Sequence, residues 1–204
     1  MGRIPHERDR REAVDVIIRE TRRLMHLVEN VLHFSVPRRH SRVARSPRAL
    51  IALAPVVCDV MASFTPLASE AGATLASALD DTAVAAIEPN AFRQILLNLL
   101  DNAVKYGPAG QTVRVAVAWN PAAPERVRLT VDDRGPGIPA GERHIVWQPF
   151  VRLASARDSH VRGSGVGLAV VRELAAQAGG AANIEDAPDG GARLVVDLPG
   201  SRVA

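Results

Sequence analysis

Cysteine, lysine and aromatic side chains are nearly missing from this 204-residue chain: it has one Cys, one Tyr, two Trp and four Phe. A lone thiol, Cys58, can close no internal disulfide and offers no second ligand to a cysteine-based metal site, which excludes the disulfide-stapled secreted class. With 3% aromatics there is no stacking platform for single-stranded nucleic acid, so no nucleic-acid partner is expected. No apolar run approaches the roughly 18 residues of a membrane span, and no charged start leads through an apolar stretch to a cleavage site. These absences predict a soluble, unexported chain in a reducing, cytoplasmic setting. What is present, 47% hydrophobic and 23% charged residues, suits one ordinary domain with an appendage and excludes global disorder.

The net charge of +3 is unevenly spread. Residues 1–48 carry 12 Arg against 6 Asp or Glu, whereas the remainder has 13 basic and 16 acidic groups. The basic segment reads as a solvated helix face and a linker. Val14, Ile17, Leu24, Val28 and Val31 recur at spacings of three, four and seven, which predicts a helix over 11–34 packed on another helix. Ile17, Leu24 and Val31 form one heptad seam, with Val14, Thr21 and Val28 on the other. Pro37 ends the helix, and 38–48 is a basic, polar linker. The expected division is a helix in 1–37, a linker in 38–49 and a globular domain in 50–204.

In that domain Pro55–Glu70 reads as a helix ended at Ala71-Gly72, followed by two short strands, 74–79 and 82–87, around an Asp80-Asp81 turn. Pro89–Tyr106 is a leucine-rich helix stopped by Gly107-Pro108. Strands near 113–119 and 127–132 are separated by a proline-rich loop. Residues 134–163 have little periodicity beyond a short turn at 142–147, and a loop of that length is functional or disordered. A helix at 165–178 and a hairpin of 181–185 with 192–198, around Asp189-Gly190-Gly191, close the chain. The fold class expected is α+β: a two-layer sandwich with helices on one face of a mixed sheet, preceded by one long N-terminal helix.

Three clusters could carry chemistry. Asn98 and Asn102 lie four apart on one face of a mostly apolar helix, where a buried amide must be hydrogen-bonded or hold a ligand, and an amide oxygen suits Mg²⁺. Lys105 and Tyr106 add a point charge and an aromatic face one turn later; a polar stripe facing solvent is the alternative. Asp132-Asp133 runs into Arg134-Gly135-Pro136-Gly137-Ile138, where alternate glycines admit close backbone approach and a strand-end carboxylate can accept from an exocyclic amine, unless this is an ordinary Asp-Gly turn. Gly163-Ser164-Gly165-Val166-Gly167-Leu168 opens a helix, and amides there can bind phosphate. It does not directly follow a strand and has no Gly-Lys-Ser/Thr ending, so neither a dinucleotide fingerprint nor a P-loop applies.

In this order the clusters resemble the catalytic ATP-binding domain of sensor histidine kinases, a branch of the superfamily shared with DNA gyrase and the large heat-shock chaperone. Gln94 to Tyr106 looks like the family's N box, Asp133 to Ile138 like the first glycine box, Trp147-Gln-Pro-Phe150-Val-Arg152 like the F box, and Gly163 to Leu168 like the second glycine box. The resemblance implies ATP and Mg²⁺ as ligands. Asn102 would hold the metal, Asn98 would sit beside it near the phosphates, and Lys105 would contact phosphate oxygens. Tyr106 would lie against the nucleotide and Asp133 would accept from the adenine amino group. Gly135, Gly137 and Ile138 would begin the lid; Gly163, Ser164, Gly165, Val166, Gly167 and Leu168 would close it, with Phe150 of the F box in the same wall. Asn98, Lys105 and Arg152 would be the catalytic side chains, Arg152 by reaching the γ-phosphate.

Ile17 to Ser35 is similar to the second helix of the family's dimerisation and phosphoacceptor hairpin. The first helix with its acceptor histidine is not evident, because Arg8-Asp9-Arg10 does not continue the family pattern after His6-Glu7. The resemblance therefore implies an enzyme that passes the ATP γ-phosphate to a histidine elsewhere and thence to a response-regulator aspartate. Its partners would be ATP, a phosphoacceptor domain, a response regulator and a second copy met through the N-terminal helix. Its location would be the cytoplasm, or the cytoplasmic part of a membrane-bound sensor. Two other functions use the same boxes: a non-catalytic nucleotide-binding interaction module and an anti-sigma-type serine kinase.

Overall fold

The computed structural model describes residues 50–153 and 164–200. The expected helix at 11–34, the linker and Gly163 lie outside the described residues. Among them the chain runs β1 (Leu50–Ala52), α1 (Leu53–Glu70), β2 (Thr74–Leu79), β3 (Val84–Ala86), α2 (Pro89–Tyr106), β4 (Thr112–Asn120), β5 (Ala123–Asp132), a 3₁₀ turn (Ala140–Glu142), α3 (Gly167–Gln177), β6 (Ala181–Asp186) and β7 (Ala192–Pro199). Five strands form a mixed sheet in the order β2-β4-β5-β7-β6, in which β2–β4 is parallel and the other pairs are antiparallel. The expected mixed sheet with helices on one face is what forms.

Alternation explains the two faces. Val113, Val115 and Val117 on β4, Val127, Leu129 and Val131 on β5, and Leu194, Val196 and Leu198 on β7 are each 1% exposed or less. This is the half of a period-two pattern that a helix layer covers. The layer supplies Leu53, Val57 and Val60 from α1, Phe92, Ile95, Leu96, Leu99 and Leu100 from α2, and Val170 and Val171 from α3, all buried. The opposite face carries charge in register. Arg114 lies across from Asp132, Asp132 from Arg193, and Arg193 from Glu185. Arg193 grips Asp132 with two hydrogen bonds of 2.7 and 2.8 Å, and Arg128 grips Asp197 with two of 2.9 Å. Between these rows Thr130 and Val195 are 8% and 0% exposed although they face away from the helices. In the register they lie between the Arg128–Asp197 and Asp132–Arg193 pairs.

Three local expectations are corrected. The strand after Asp81 is shorter than expected and does not form a hairpin with its predecessor. Asp80 Oδ1 accepts from Thr82 N at 2.9 Å and closes the turn, but β3 pairs antiparallel with β1 while β2 pairs with β4. Strand β1 has no signature in the sequence, because three residues leading straight into a helix leave no alternation to read. The proline-rich loop is only two residues, Pro121 and Ala122, with Ala122 N donating to Asn120 Oδ1. The register then jumps from Asn120–Ala123 to Trp119–Val127, so Pro124 falls in a bulge where no amide donor is needed.

Candidate functional site

The site is built where α2, the exit of β5 and the start of α3 meet. Asn98 is 3% exposed in the middle of α2. A Cβ on Gly167, the first residue of α3, would stand 3.1 Å from Asn98 Oδ1, so a glycine lets that helix start approach the buried amide. The helix start is open: Val166 gives no capping side chain, and the first turn has no acidic residue. Uncapped amides at the positive end of a helix dipole favour an anion. Val166 itself is fully buried, so only its backbone can serve the site, whereas Ser164 is exposed and Leu168 half-buried.

One turn beyond Asn98, Asn102 is half-buried. Lys105 pairs with Asp101 across one helical turn at 2.5 Å, with both side chains about a third exposed. Tyr106 is half-buried, and its carbonyl would be 2.7 Å from a Cβ on Gly135, which fixes how closely the end of α2 abuts the first glycine box. Gly137 has a φ of +72° and Ile138 is half-buried.

Asp133 is the centre of this corner. It is 4% exposed, and its Oδ1 accepts from Gly135 N at 2.8 Å and from Ala192 N at 3.1 Å. Burial pushes its carboxyl above the ordinary aspartate range; the two amide donors pull the other way, and the neighbouring Asp132 charge adds to the rise. Its backbone is held as well. Asp133 N donates to Ala192 O at 3.0 Å, and a Cβ on Gly191 would lie 2.2 Å from Asp133 O. Arg114 and Arg134 both reach Asp189 in the β6–β7 turn, at 2.5 and 3.6 Å.

At the far wall, Phe150 N donates to Gly165 O at 2.9 Å, which stitches the F box to the second glycine box. Phe150 has a φ of +64° and is 72% exposed, while Trp147 beside it is buried. Arg152 is half-buried on the same wall. The structure thus places Gly167 against Asn98 and, two turns further along α2, Gly135 against Tyr106, with Asp133 and Gly137 meeting the β6–β7 turn, Gly165 meeting Phe150, and Asn102 and Lys105 on the helix between. Gly163 lies outside the described residues. Ala192, Gly191 and Gln111, which also contact Asp133 or Arg134, carry no functional signal in the sequence. Two are ordinary hairpin residues there, and a single polar residue before a strand gives no signal.

This is the corner of a mixed sheet and a helix layer that presents a buried carboxylate at one end and an open helix start at the other. Residues 87–202, more than half of the chain, match the model of the histidine kinase-, DNA gyrase B- and HSP90-like ATPase family, and the chain belongs to that family. Over 114 residues it is 43% identical to the signal transduction histidine-protein kinase/phosphatase MprB of Mycobacterium tuberculosis (strain ATCC 25618 / H37Rv), which is 54% of this chain and 22% of that protein. The solved mycobacterial sensor histidine kinase MprB superposes with a TM-score of 0.65 at 27% identity, over 76% of this chain and 99% of that one. Full-length ShkA in complex with AMPPNP gives 0.68 at 29% identity, over all of this chain and 41% of that one. The matched region spans about a fifth of the curated relatives' length. Among the described residues no helix is long and apolar enough to cross a membrane.

Proposed function

We propose that this chain is the ATP-binding catalytic part of a two-component sensor histidine kinase. The observation that carries the reading is Asp133: a nearly buried carboxylate whose Oδ1 is taken by two amides, leaving Oδ2 as its remaining acceptor. A desolvated, fixed acceptor suits the exocyclic amine of adenine and rejects a base that presents an acceptor there, since two facing acceptors would both stay unpaired. The uncapped start of α3 behind Gly165 and Gly167 suits a phosphate chain, and Lys105 adds charge beside it.

Bound ATP supplies the phosphoryl group. This chain's residues position it and compensate charge, since phosphoryl transfer asks little covalent chemistry of the protein. Asp133 holds the base, Tyr106 lies against it, and Gly135, Gly137 and Ile138 bring backbone alongside. Gly163 to Leu168 receive the phosphates, with Asn98, Lys105 and Arg152 stabilising the charge that develops. The donor set fits Mg²⁺: Asn102 offers a neutral amide oxygen, which with phosphate oxygens makes the hard, oxygen-only shell this ion takes. The acceptor would be a histidine on a phosphoacceptor helix, followed by a response-regulator aspartate, with the heptad segment 11–34 as the dimer contact.

Calorimetric titration with a non-hydrolysable ATP analogue, with and without Mg²⁺, tests the nucleotide site, and saturable one-to-one binding enhanced by Mg²⁺ is expected. Transfer of label from γ-labelled ATP to an added phosphoacceptor domain tests catalysis. Binding without transfer to any acceptor tried would leave a nucleotide-sensing module and overturn the kinase reading.

A further inference from the structure

Gln111 belongs to none of the boxes, yet it joins two of them. It is 2% exposed, one residue before β4. Its Nε2 donates to Ala103 O in the last turn of α2 at 2.8 Å, and its Oε1 accepts from Arg134 N at 3.0 Å. One amide therefore spans the end of the N-box helix and the residue after Asp133. The three successive amides at the exit of β5 have three different acceptors: Asp133 N bonds Ala192 O, Arg134 N bonds Gln111 Oε1, and Gly135 N bonds Asp133 Oδ1. Ladder pairing of β5 with β4 stops at Asp132 opposite Arg114, so the Gln111 side chain supplies the acceptor the ladder no longer provides.

Gly107 explains how the amide fits. Its φ of −85° and ψ of 161° are open to any residue, so backbone freedom is not its role. A Cβ there would lie 1.9 Å from Gln111 Nε2 and 2.2 Å from both Cδ and Oε1, and these are the three nearest atoms it would meet. The absent side chain of Gly107 is the space that the Gln111 amide fills.

We propose that Gln111, seated by Gly107, is a positioning residue for base recognition: it fixes the distance between the N-box helix and the Asp133 carboxylate and so sets discrimination between adenine and guanine nucleotides. This rests on the ATP reading above. Gln111→Met keeps the side chain's length and removes both hydrogen bonds, leaving Arg134 N unpaired. ATP binding should weaken about tenfold, as expected when a buried bonded group loses its partner, and the ATP-to-GTP affinity ratio should fall with it. Lost stability alone would lower the melting temperature without moving that ratio.

Gly107→Ala should act in the same direction by expelling the amide. In a Gln111→Ala background the same change should cost less than about twofold more, because its obstruction is already gone. The experiment is calorimetric titration of the parent, Gln111→Met, Gly107→Ala, Gln111→Ala and the double variant with ATP and GTP, with circular-dichroism melts of each. If Gln111→Met melts below the assay temperature, Gly107→Ala and the double variant decide the matter. A parent that binds ATP, with a ratio unchanged in Gln111→Met or with additive losses in the double variant, overturns the positioning role alone. A parent that binds no ATP overturns the nucleotide reading as well.

Discussion

At the end proposed for adenine, three consecutive amides each donate to a different partner and enclose a carboxylate that is 4% exposed. At the end proposed for the phosphates, Lys105 is 30% exposed and is tied to Asp101 one turn back along its own helix. On the proposed function, the difference follows from what each end would recognise. Adenine presents a donor at position 6 where guanine presents an acceptor, so discrimination there needs a desolvated acceptor that cannot shift to suit the wrong base. A phosphate chain is recognised by charge, which acts over several ångströms and tolerates a side chain that moves. One end should therefore respond steeply to changes in packing, and the other weakly and with a dependence on salt.

The strongest break of this contrast is at the β6–β7 turn. Gly191 has a φ of +91°, and a Cβ there would stand 2.2 Å from the backbone carbonyl of Asp133. Gly191→Ala should cost about 3 kcal/mol of stability from strain and displacement together, read as a large fall in melting temperature. Its neighbour is the control: Gly190 has a φ of +84° but nothing within 4 Å of an added Cβ, so Gly190→Ala should cost only about 1 kcal/mol. Equal losses would show that the close approach to Asp133 carries no weight.

Asp133→Asn comes next and separates recognition from stability. Oδ1 remains for Gly135 and Ala192, but an amino group replaces the oxygen offered to the base. ATP should bind about 100-fold more weakly, with the preference over GTP lost. Stability should move the other way. Because burial raises the folded carboxyl above its unfolded value, the native chain holds this proton longer than the unfolded chain does. The group's stabilising contribution is thus complete at low pH and is lost as pH rises from the ordinary aspartate range through the raised folded value. The melting temperature of Asp133→Asn minus that of the parent should grow across that window and level off above it. In the parent, ATP affinity should fall as pH drops through the same raised value, since the acceptor then carries a proton.

Much of this molecule was legible in its sequence, and the illegible parts share a cause. α2 and β2 are bounded where leucine periodicity, alternation and the flanking glycines predict, because those signals are local. The partner of β2 was not legible: pairing with β4 rather than β3 is decided by tertiary contact across the connecting helix. The carboxylate and glycines of the corner stand in short runs, so they read as boxes in the sequence. Gln111 could not be found, since its function rests on Ala103, Gly107 and Arg134, up to 23 residues away. Val195 likewise reads as a core residue, yet it sits buried on the outer face, in register between the Arg128–Asp197 and Asp132–Arg193 pairs.

The phosphate end should give smaller effects. Asn102→Ala removes the amide oxygen that the proposed function offers to a divalent ion. The enhancement of ATP binding by Mg²⁺ should shrink about tenfold while metal-free binding stays near the parent's. Calorimetric titration with and without the metal separates the two, and an enhancement equal to the parent's would remove Asn102 from the metal shell.

Asp101→Asn should have the least effect and is the sharpest check on the contrast. A partly exposed ion pair within one helix contributes only a few tenths of a kcal/mol, so stability should hardly change. Its effect on ATP is electrostatic. The substitution releases Lys105 and removes a negative charge from the neighbourhood of the phosphates, so binding should tighten by about two- to threefold at low ionic strength. Screening should erase most of that gain at high salt. The Asp133→Asn deficit, made of buried hydrogen bonds, should persist in both conditions. If instead the gain from Asp101→Asn is salt-independent, then Lys105 and Asp101 are desolvated in the bound state. The phosphate end would then be as enclosed as the adenine end, and the division between a rigid, geometric half and a mobile, electrostatic half would fall.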